Sequence, residues 1–261
     1  MQHIELVDRL LTLARKKFLA GELLKFHPEG TEYTSLMVCF FLHIASGVDT
    51  IMRLYKLNST WFPTTNAFVI LRSVFEADVT AHYISKQPKE RAVSFVKYGR
   101  ILKKKRLDTL LKHNQTKDET WNQIISAELK EYYIPNQAKI EGKYREVKGS
   151  FEFVTKEGKV RPYCNWANKT LRDMAKEVDH EIEYDIFYTY LSSFTHVDIQ
   201  LADRFLKSDN NGLFWTCRAD EVSVAFVFSY AATFFSCFLA LMGRQFQVEI
   251  EDDLARCWNF N

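Results

Sequence analysis

Residues 222–242 read VSVAFVFSYAATFFSCFLALM, a run of 21 residues without a charged side chain. The run is about as long as the ~20 apolar residues that an α-helix needs to cross a bilayer. Hydroxyl groups nevertheless occur along it, at Ser223, Ser229, Tyr230, Thr233 and Ser236, and they suit packing against protein better than contact with lipid. We therefore predict a central core helix and consider a membrane span the weaker alternative.

The composition of the chain favours a helical fold. Of its 261 residues, 47% are hydrophobic, which is enough to fill a core. Only 9 glycines and 5 prolines leave little turn chemistry for a many-stranded sandwich or barrel. We predict an all-α, single-domain multi-helix bundle with a small inserted β-hairpin near residues 150–162.

Helix signals recur along the whole chain. The predicted helices cover the N-terminal residues to Phe18, residues 32–57, 64–85 and 89–113, a helix that begins at a Thr116-x2-Glu119 capping box, a short helix that Asn168 caps and that ends near Asp179, and residues 184–207. No segment is rich enough in linker residues to separate two domains. We predict one domain over residues 1–261, with a core at about 64–240 and N-terminal helices at 1–60 packed on it.

The cysteines and the N-terminus indicate a compartment. The five cysteines contain no C-x-x-C pair, so neither a disulfide framework nor a zinc knuckle is expected. Residues 1–15 mix charges throughout and lack the apolar segment and cleavage site of a signal peptide. We predict a cytoplasmic protein.

Charge is distributed unevenly, although the net charge is only +2. Residues 86–117 contain eleven basic and two acidic side chains, whereas residues 173–203 contain eight acids and one lysine. The basic side chains of Lys103, Lys104, Lys105 and Arg106 lie about 100° apart around a helix, so most of them must face solvent. This basic face favours phosphate contacts with RNA or DNA. The alternative is a solvated surface, or a partner for the acidic segment within one molecule or across a homodimer.

Two charged residues stand on an otherwise apolar helix. Arg72 and Glu76 lie one helical turn apart within the apolar run 69–77, so they can form an ion pair. If the pair is buried, loss of one partner strands the other charge. We predict that both residues belong to a functional or structural site.

A polar stripe follows later in the chain. Tyr184, Tyr188, Ser192 and His196 recur every fourth residue, which places two phenols, a hydroxyl and an imidazole along one helix face. An unpaired buried hydroxyl or imidazole costs ~1–3 kcal/mol, so the stripe needs partners. We expect Arg72 and Glu76 to supply them.

These residues resemble a known family. The Leu71-Arg72-x3-Glu76 helix, then Tyr83, Tyr98 and Trp166, and finally the stripe that ends at His196 are similar to the bacterial domain-of-unknown-function family numbered 5677. The resemblance spans about residues 64–240. It implies a soluble all-helical domain, distantly similar to the HEPN-type bundles of ribonuclease toxins and phage-defence systems.

Two functions follow from these observations. The first is a regulatory or interaction module of the defence or toxin–antitoxin type, in which the network of Arg72, Glu76, Tyr188, Ser192 and His196 fixes helix register. Its outer faces would bind a protein or a nucleic acid. The alternative is an HEPN-like, metal-independent ribonuclease or nucleotide-acting enzyme. There His196 would be the general acid or base, Arg72 the phosphate clamp and Glu76 the orienting residue.

Other chemistry is poorly supported by the sequence. The Arg-x4-6-His motif of HEPN ribonucleases has a counterpart only in Arg106 and His113, within a polybasic segment. The glycines never cluster as G-x-G, so a dinucleotide cofactor is not expected. A metal site at Glu76, His196 and Asp198 would have only one imidazole ligand. We therefore assign no cofactor and no metal ion.

Overall fold

The computed structural model describes residues 2–19, 31–57, 62–114, 118–195, 206–209, 212–215 and 221–259. They form two compact units. The first unit comprises Met1–Lys86 and Thr170–Asn261, and the second comprises Gln87–Lys169. The all-α prediction with a small inserted hairpin is confirmed. The single domain over residues 1–261 stays a prediction.

The regular elements follow one another in this order: α1 (Gln2–Ala14), α2 (Thr31–Leu57), α3 (Thr64–Ser85), α4 (Pro88–His113), α5 (Glu119–Glu128), α6 (Ile134–Val147), β1 (Glu152–Val154), β2 (Val160–Pro162), α7 (Leu171–Glu177), α8 (Glu181–Glu183), α9 (Thr189–Thr195), β3 (Leu206–Asp209), β4 (Gly212–Trp215), α10 (Glu221–Phe246) and α11 (Glu251–Trp258). Widened π-helical turns continue α1 over Arg15–Leu19, join α5 to α6 over Leu129–Tyr133 and join α8 to α9 over Tyr184–Tyr188. A short 3₁₀ turn, Lys148–Phe151, precedes β1.

For two helices, the residue predicted to cap the N-terminus is not the one that caps it. Thr170, not Asn168, caps α7: its hydroxyl accepts from the Asp173 N–H, and the Asp173 side chain returns a bond to the cap, which completes a capping box. Asn168 instead has a positive φ of 50° in the preceding turn. Asp118 caps α5 by accepting from the Trp121 N–H, and the predicted cap Thr116 lies outside the described residues.

The predicted helix over residues 184–207 is also wrong at its C-terminal end. α9 is described as far as Thr195, residues 196–205 lie outside the described residues, and residues 206–209 form strand β3, which pairs antiparallel with β4. Turn chemistry is the physical reason, because the two residues that connect the strands in the sequence are Asn210 and Asn211, and asparagine is common in two-residue hairpin loops.

The predicted hairpin in the second unit is present. β1 and β2 pair antiparallel, with Phe153 opposite Arg161. The Thr155 N–H donates to the Lys159 carbonyl oxygen over 2.8 Å and so closes the loop. Gly158 lies in this loop with a φ of 75°, a conformation that favours glycine.

α10 is the helix around which the first unit packs. It lies against α1, α2 and α3, and its buried side chains include Phe228, Phe234, Phe235 and Phe238. The residues of this helix were predicted to fill a core, and their burial agrees with that prediction. The high phenylalanine content of the chain is thus concentrated where the helices of this unit meet.

Two described helices are long and apolar enough to cross a membrane by length and composition alone. They are Glu32–Leu57 and Glu221–Phe246. In the second of them, half of the most apolar window is buried inside the protein. A core helix of a soluble protein has the same property, so the fold is compatible with the predicted core role.

The second unit has its own apolar contacts. α4 packs against α6, and α5 with the following π turn closes one end. Two clusters of buried side chains hold these elements together: Leu107, Leu110, Ile125, Leu129, Tyr133 and Ile140 in one, and Tyr98, Ile101, Val147 and Phe151 in the other. Both clusters include side chains of α4, so they fix the helix on which the basic residues lie.

Gly243 marks a close approach near the end of α10. A Cβ atom there would overlap Ile250 Cγ2 and would lie 3.0 Å from the Val248 carbonyl oxygen. We expect Gly243→Ala to lower the free energy of unfolding by about 1–3 kcal/mol, because backbone cannot yield as a side chain can. Urea denaturation would measure the change. Gly142→Ala is the control, since nothing lies within 4 Å of its Cβ position, and it should not destabilise. Equal effects of the two substitutions would contradict the steric explanation.

Candidate functional site

Arg72, Glu76 and Tyr188 form a closed hydrogen-bonded triangle in the first unit. Arg72 Nε donates to Glu76 Oε1 over 2.9 Å, and Arg72 Nη2 donates to the Tyr188 hydroxyl over 2.7 Å. The Tyr188 hydroxyl donates in turn to Glu76 Oε1 over 2.9 Å. α3 supplies the first two residues and the π turn before α9 supplies the third. The network therefore ties these two elements together.

Burial and charge determine the protonation states of the triangle. Burial opposes the charge of Arg72, but its hydrogen bonds to Tyr188 and Glu76 outweigh this and raise the pKa of the guanidinium. Burial, together with the Glu76 carboxylate, raises the pKa of Tyr188, so the phenol keeps the proton that it donates. The side chain of Arg72 is 17% exposed and that of Glu76 is 42% exposed. The network thus lies at the edge of the core.

The rest of the predicted stripe is arranged differently. The Tyr184 and Tyr188 rings stack with centroids 4.8 Å apart. Ser192 donates to the Tyr188 backbone carbonyl oxygen over 3.0 Å, so its hydroxyl caps a helix carbonyl rather than joining the side-chain triangle. His196 and Asp198 lie outside the described residues.

The four predicted basic residues of α4 have separate environments in the second unit. Lys103 Nζ donates to the Tyr132 hydroxyl over 3.2 Å, and Lys104 pairs with Asp108. Lys105 Nζ lies 6.0 Å from the centre of the Tyr98 ring. Arg106 forms a two-pronged ion pair with Glu128, with Nε 3.0 Å from Oε1. Two of the four cations are therefore neutralised by neighbouring carboxylates.

A basic groove lies between α4 and α6, with a volume of about 310 Å³. It is lined by Val96, Gly99, Arg100, Lys103, Tyr132, Asn136, Lys139, Ile140 and Lys143. Four of these residues are cations and, within the described part of the chain, none is a carboxylate. Arg100 also pairs with Glu146 at 3.0 Å, outside the lining. We call this surface the basic groove.

Half of the cations in the basic groove were missed by the sequence analysis. Lys139 and Lys143 come from α6, outside the segment with the highest charge, and both are exposed. They form no ion pair with the described residues. Their spacing of four residues places them on one helix face and could have indicated a shared surface. Nothing in the sequence showed that this face meets α4.

The comparisons with known proteins identify a family. No curated protein and no solved structure matches the chain. The sequence profile of a family of unknown function, DUF5677, matches residues 34–213. This range includes the Arg72–Glu76–Tyr188 triangle and the basic groove. It covers more than half of the chain, which therefore belongs to the DUF5677 family.

Proposed function

We propose that this protein is a non-enzymatic helical module that binds single-stranded RNA through the basic groove of its second unit. The observation that carries the proposal is the set of four cations, Arg100, Lys103, Lys139 and Lys143, around one groove without a carboxylate among its described lining residues. A chain with a net charge near zero attracts polyanions only where cations cluster in this way.

The groove offers more than positive charge. Tyr132 is 43% exposed at its edge, and an exposed aromatic ring can stack on an unpaired base. Asn136 supplies both a hydrogen-bond donor and an acceptor. This combination of a stacking ring with flanking cations is typical of proteins that bind single strands. It favours a single strand over a duplex.

The triangle in the first unit has a structural role in this proposal. Arg72 is engaged by both Glu76 and Tyr188, so its main contribution is to hold α3 against the π turn before α9. We also propose a cytoplasmic location, which the lack of a C-x-x-C pair among the five cysteines of the sequence supports. A role in phage defence or in a toxin–antitoxin pair rests on the family resemblance and stays a prediction.

The test is a charge reversal within the groove. We expect Lys139→Glu with Lys143→Glu to weaken binding of a fluorescent single-stranded RNA at least tenfold, by about 1.4 kcal/mol or more. The salt dependence should also fall, because each lost phosphate contact removes about 0.7 from the log–log slope. Fluorescence anisotropy over a salt series measures both quantities.

The matched control carries the same change of charge elsewhere in the second unit. Lys156 and Lys159 lie exposed in the loop between β1 and β2, away from the groove lining. Lys156→Glu with Lys159→Glu should leave most of the binding intact. An equal loss in both double variants would refute a specific groove, and so would a wild-type protein that binds no RNA.

The alternative function is a metal-independent ribonuclease that uses Arg72 and His196, with Glu76 as the orienting residue. One observation favours it, since Arg72 Nη1 is buried without a hydrogen-bond partner among the described residues and so has an unused donor. A His196→Ala protein that stays folded but loses RNA cleavage would support this enzyme. Absence of cleavage by the wild-type protein would remove it.

A further inference from the structure

Asp78, His82 and His180 come together in the first unit, and none of them takes part in the Arg72–Glu76–Tyr188 hydrogen bonds. One ligand atom from each of the three lies within 4.8 Å of the others. His82 Nδ1 is 3.1 Å from Asp78 Oδ1, and His180 Nε2 is 3.8 Å from Asp78 Oδ2. The two imidazole rings stand edge to face with centroids 5.3 Å apart. Two imidazoles therefore face one carboxylate.

The carboxylate of Asp78 is the unusual member of this cluster. Asp78 is 0% exposed, and neither of its oxygens has a hydrogen-bond partner among the described residues. His82 Nδ1 donates instead to the Asp78 backbone carbonyl oxygen over 3.0 Å. A buried carboxylate without hydrogen bonds is costly unless a cation compensates it. His82 Nδ1 lies 3.1 Å from Asp78 Oδ1 without forming a hydrogen bond to it, so both carboxylate oxygens remain able to accept a cation.

Local structure presents the two histidines to this carboxylate. Asp78 and His82 are one turn apart on α3, so their side chains lie on the same face. His180 follows the end of α7, where Asp179 has a positive φ of 65° and the His180 N–H donates to the Ala175 carbonyl oxygen over 2.8 Å. This is the geometry of a Schellman motif, and it turns the chain so that His180 faces α3.

A further carboxylate stands behind His180. Glu183 Oε2 lies 3.8 Å from His180 Nδ1, on the opposite side of the ring from Asp78. Histidines that bind metals commonly direct their second ring nitrogen to a carboxylate, which fixes the ring orientation and raises the basicity of the ligand. His180 therefore lies between two carboxylates: Asp78, which would bind the metal with it, and Glu183, which would orient its ring.

We propose that Asp78, His82 and His180 bind a divalent zinc ion, with Glu183 as the residue that orients His180. Two imidazoles and one carboxylate are ligands that zinc accepts, whereas magnesium and calcium prefer oxygen ligands alone. Ligands of a tetrahedral zinc ion lie about 3.3 Å apart at bond lengths of about 2.0–2.1 Å. The three ligand atoms lie within 4.8 Å of one another and reach that spacing by rotation of the imidazoles, and a His82 that ligates through Nδ1 gives up its hydrogen bond to the Asp78 backbone carbonyl oxygen. Three protein ligands leave a fourth position for water or for a substrate.

The sequence analysis did not assign this site. Asp78 and His82 stand four residues apart on an apolar helix, but His180 is separated from them by about a hundred positions in the chain. One carboxylate and one histidine on a helix are weak evidence for a metal. The third ligand became apparent only when the fold placed the end of α7 against α3.

Zinc titration of the untagged full-length chain tests the proposal. We expect the chelator-treated protein to bind one zinc ion per chain by isothermal titration calorimetry. His180→Ala and Asp78→Asn should each weaken binding at least about tenfold, since even outer-sphere partners of a metal are worth 10–100-fold. Cobalt(II) should give the intense visible absorption of a four-coordinate site in the wild-type protein, and His180→Ala should abolish it.

The control histidine is His43 on α2, which is exposed and bonded to Ser73 over 2.9 Å. His43→Ala should bind zinc like the wild-type protein. His180 makes no side-chain cap of α8, so His180→Ala should fold, and circular dichroism checks this. Absence of zinc binding by the wild-type protein would overturn the proposal, and so would equal losses in His43→Ala and His180→Ala. The proposal does not depend on RNA binding, because the basic groove belongs to the second unit.

Discussion

Phe187→Ala is expected to lower the free energy of unfolding by about 3–5 kcal/mol. Phe187 is 0% exposed and lies at the meeting point of α3 and α10. Its ring centroid lies 4.2 Å from that of Tyr230, 5.0 Å from that of Phe234 and 6.0 Å from that of Phe75. Truncation would remove these contacts and leave a cavity that rigid neighbouring rings cannot fill.

Ile186 provides the matched control for this substitution. It precedes Phe187 on the same π turn, but it is 64% exposed. Ile186→Ala should change the free energy of unfolding by less than about 0.5 kcal/mol. Urea denaturation monitored by circular dichroism would compare the two variants. A loss below about 1 kcal/mol for Phe187→Ala would show that this aromatic cluster does not carry the core of the first unit.

Arg72→Met is expected to cost about 2 kcal/mol of unfolding free energy. The substitution removes the donors to Glu76 and Tyr188 and leaves their oxygens facing each other without a cation. Methionine retains much of the apolar packing of Arg72 over the Tyr188 ring, where the guanidinium carbon lies 4.7 Å from the centroid. The cost stays below that of a fully buried ion pair because Glu76 is 42% exposed.

Arg53→Met is the control, since Arg53 pairs with Asp49 at the same spacing of four residues but is 72% exposed. Its cost should be about 0.5 kcal/mol or less. A double-mutant cycle of Arg72→Met with Tyr188→Phe should give a coupling energy of at least about 0.5 kcal/mol. Additive losses would mean that the two residues stabilise the protein independently. A structural triangle also predicts unchanged RNA affinity in the folded Arg72→Met protein.

Much of the helical framework could be predicted because each helix carries its own signals. Apolar spacing located α2, α3, α4 and α10, and Pro88 at the first turn of α4 agrees with its observed start. The ends were less predictable. Thr170 and Asp118 cap their helices in place of nearby residues with similar side chains, and the predicted helix over residues 184–207 gave no indication of strand β3.

The candidate sites were predictable only in part, because a sequence shows which residues share a face but not which faces meet. Arg72 and Glu76 attracted attention as charges on an apolar helix, and Tyr188 followed from the four-residue rhythm. Lys139 and Lys143 were missed, because they form a basic groove only together with Arg100 and Lys103 of another helix. Tertiary packing determines which helix faces contact each other, and the spacing of residues along the chain contains no information about these contacts.

The π turn over Tyr184–Tyr188 determines the directions in which neighbouring side chains point. It accommodates the chain with a wider repeat than an α-helix, so Phe187 can point to α10 while the neighbouring Tyr188 reaches Arg72. Deleting one residue here would rotate everything downstream by about 100° relative to α8. A substitution within this turn changes the contacts of one side chain, whereas an insertion or deletion would separate the aromatic core from the hydrogen-bonded triangle. The length of this segment is therefore more constrained than the identity of its exposed residues.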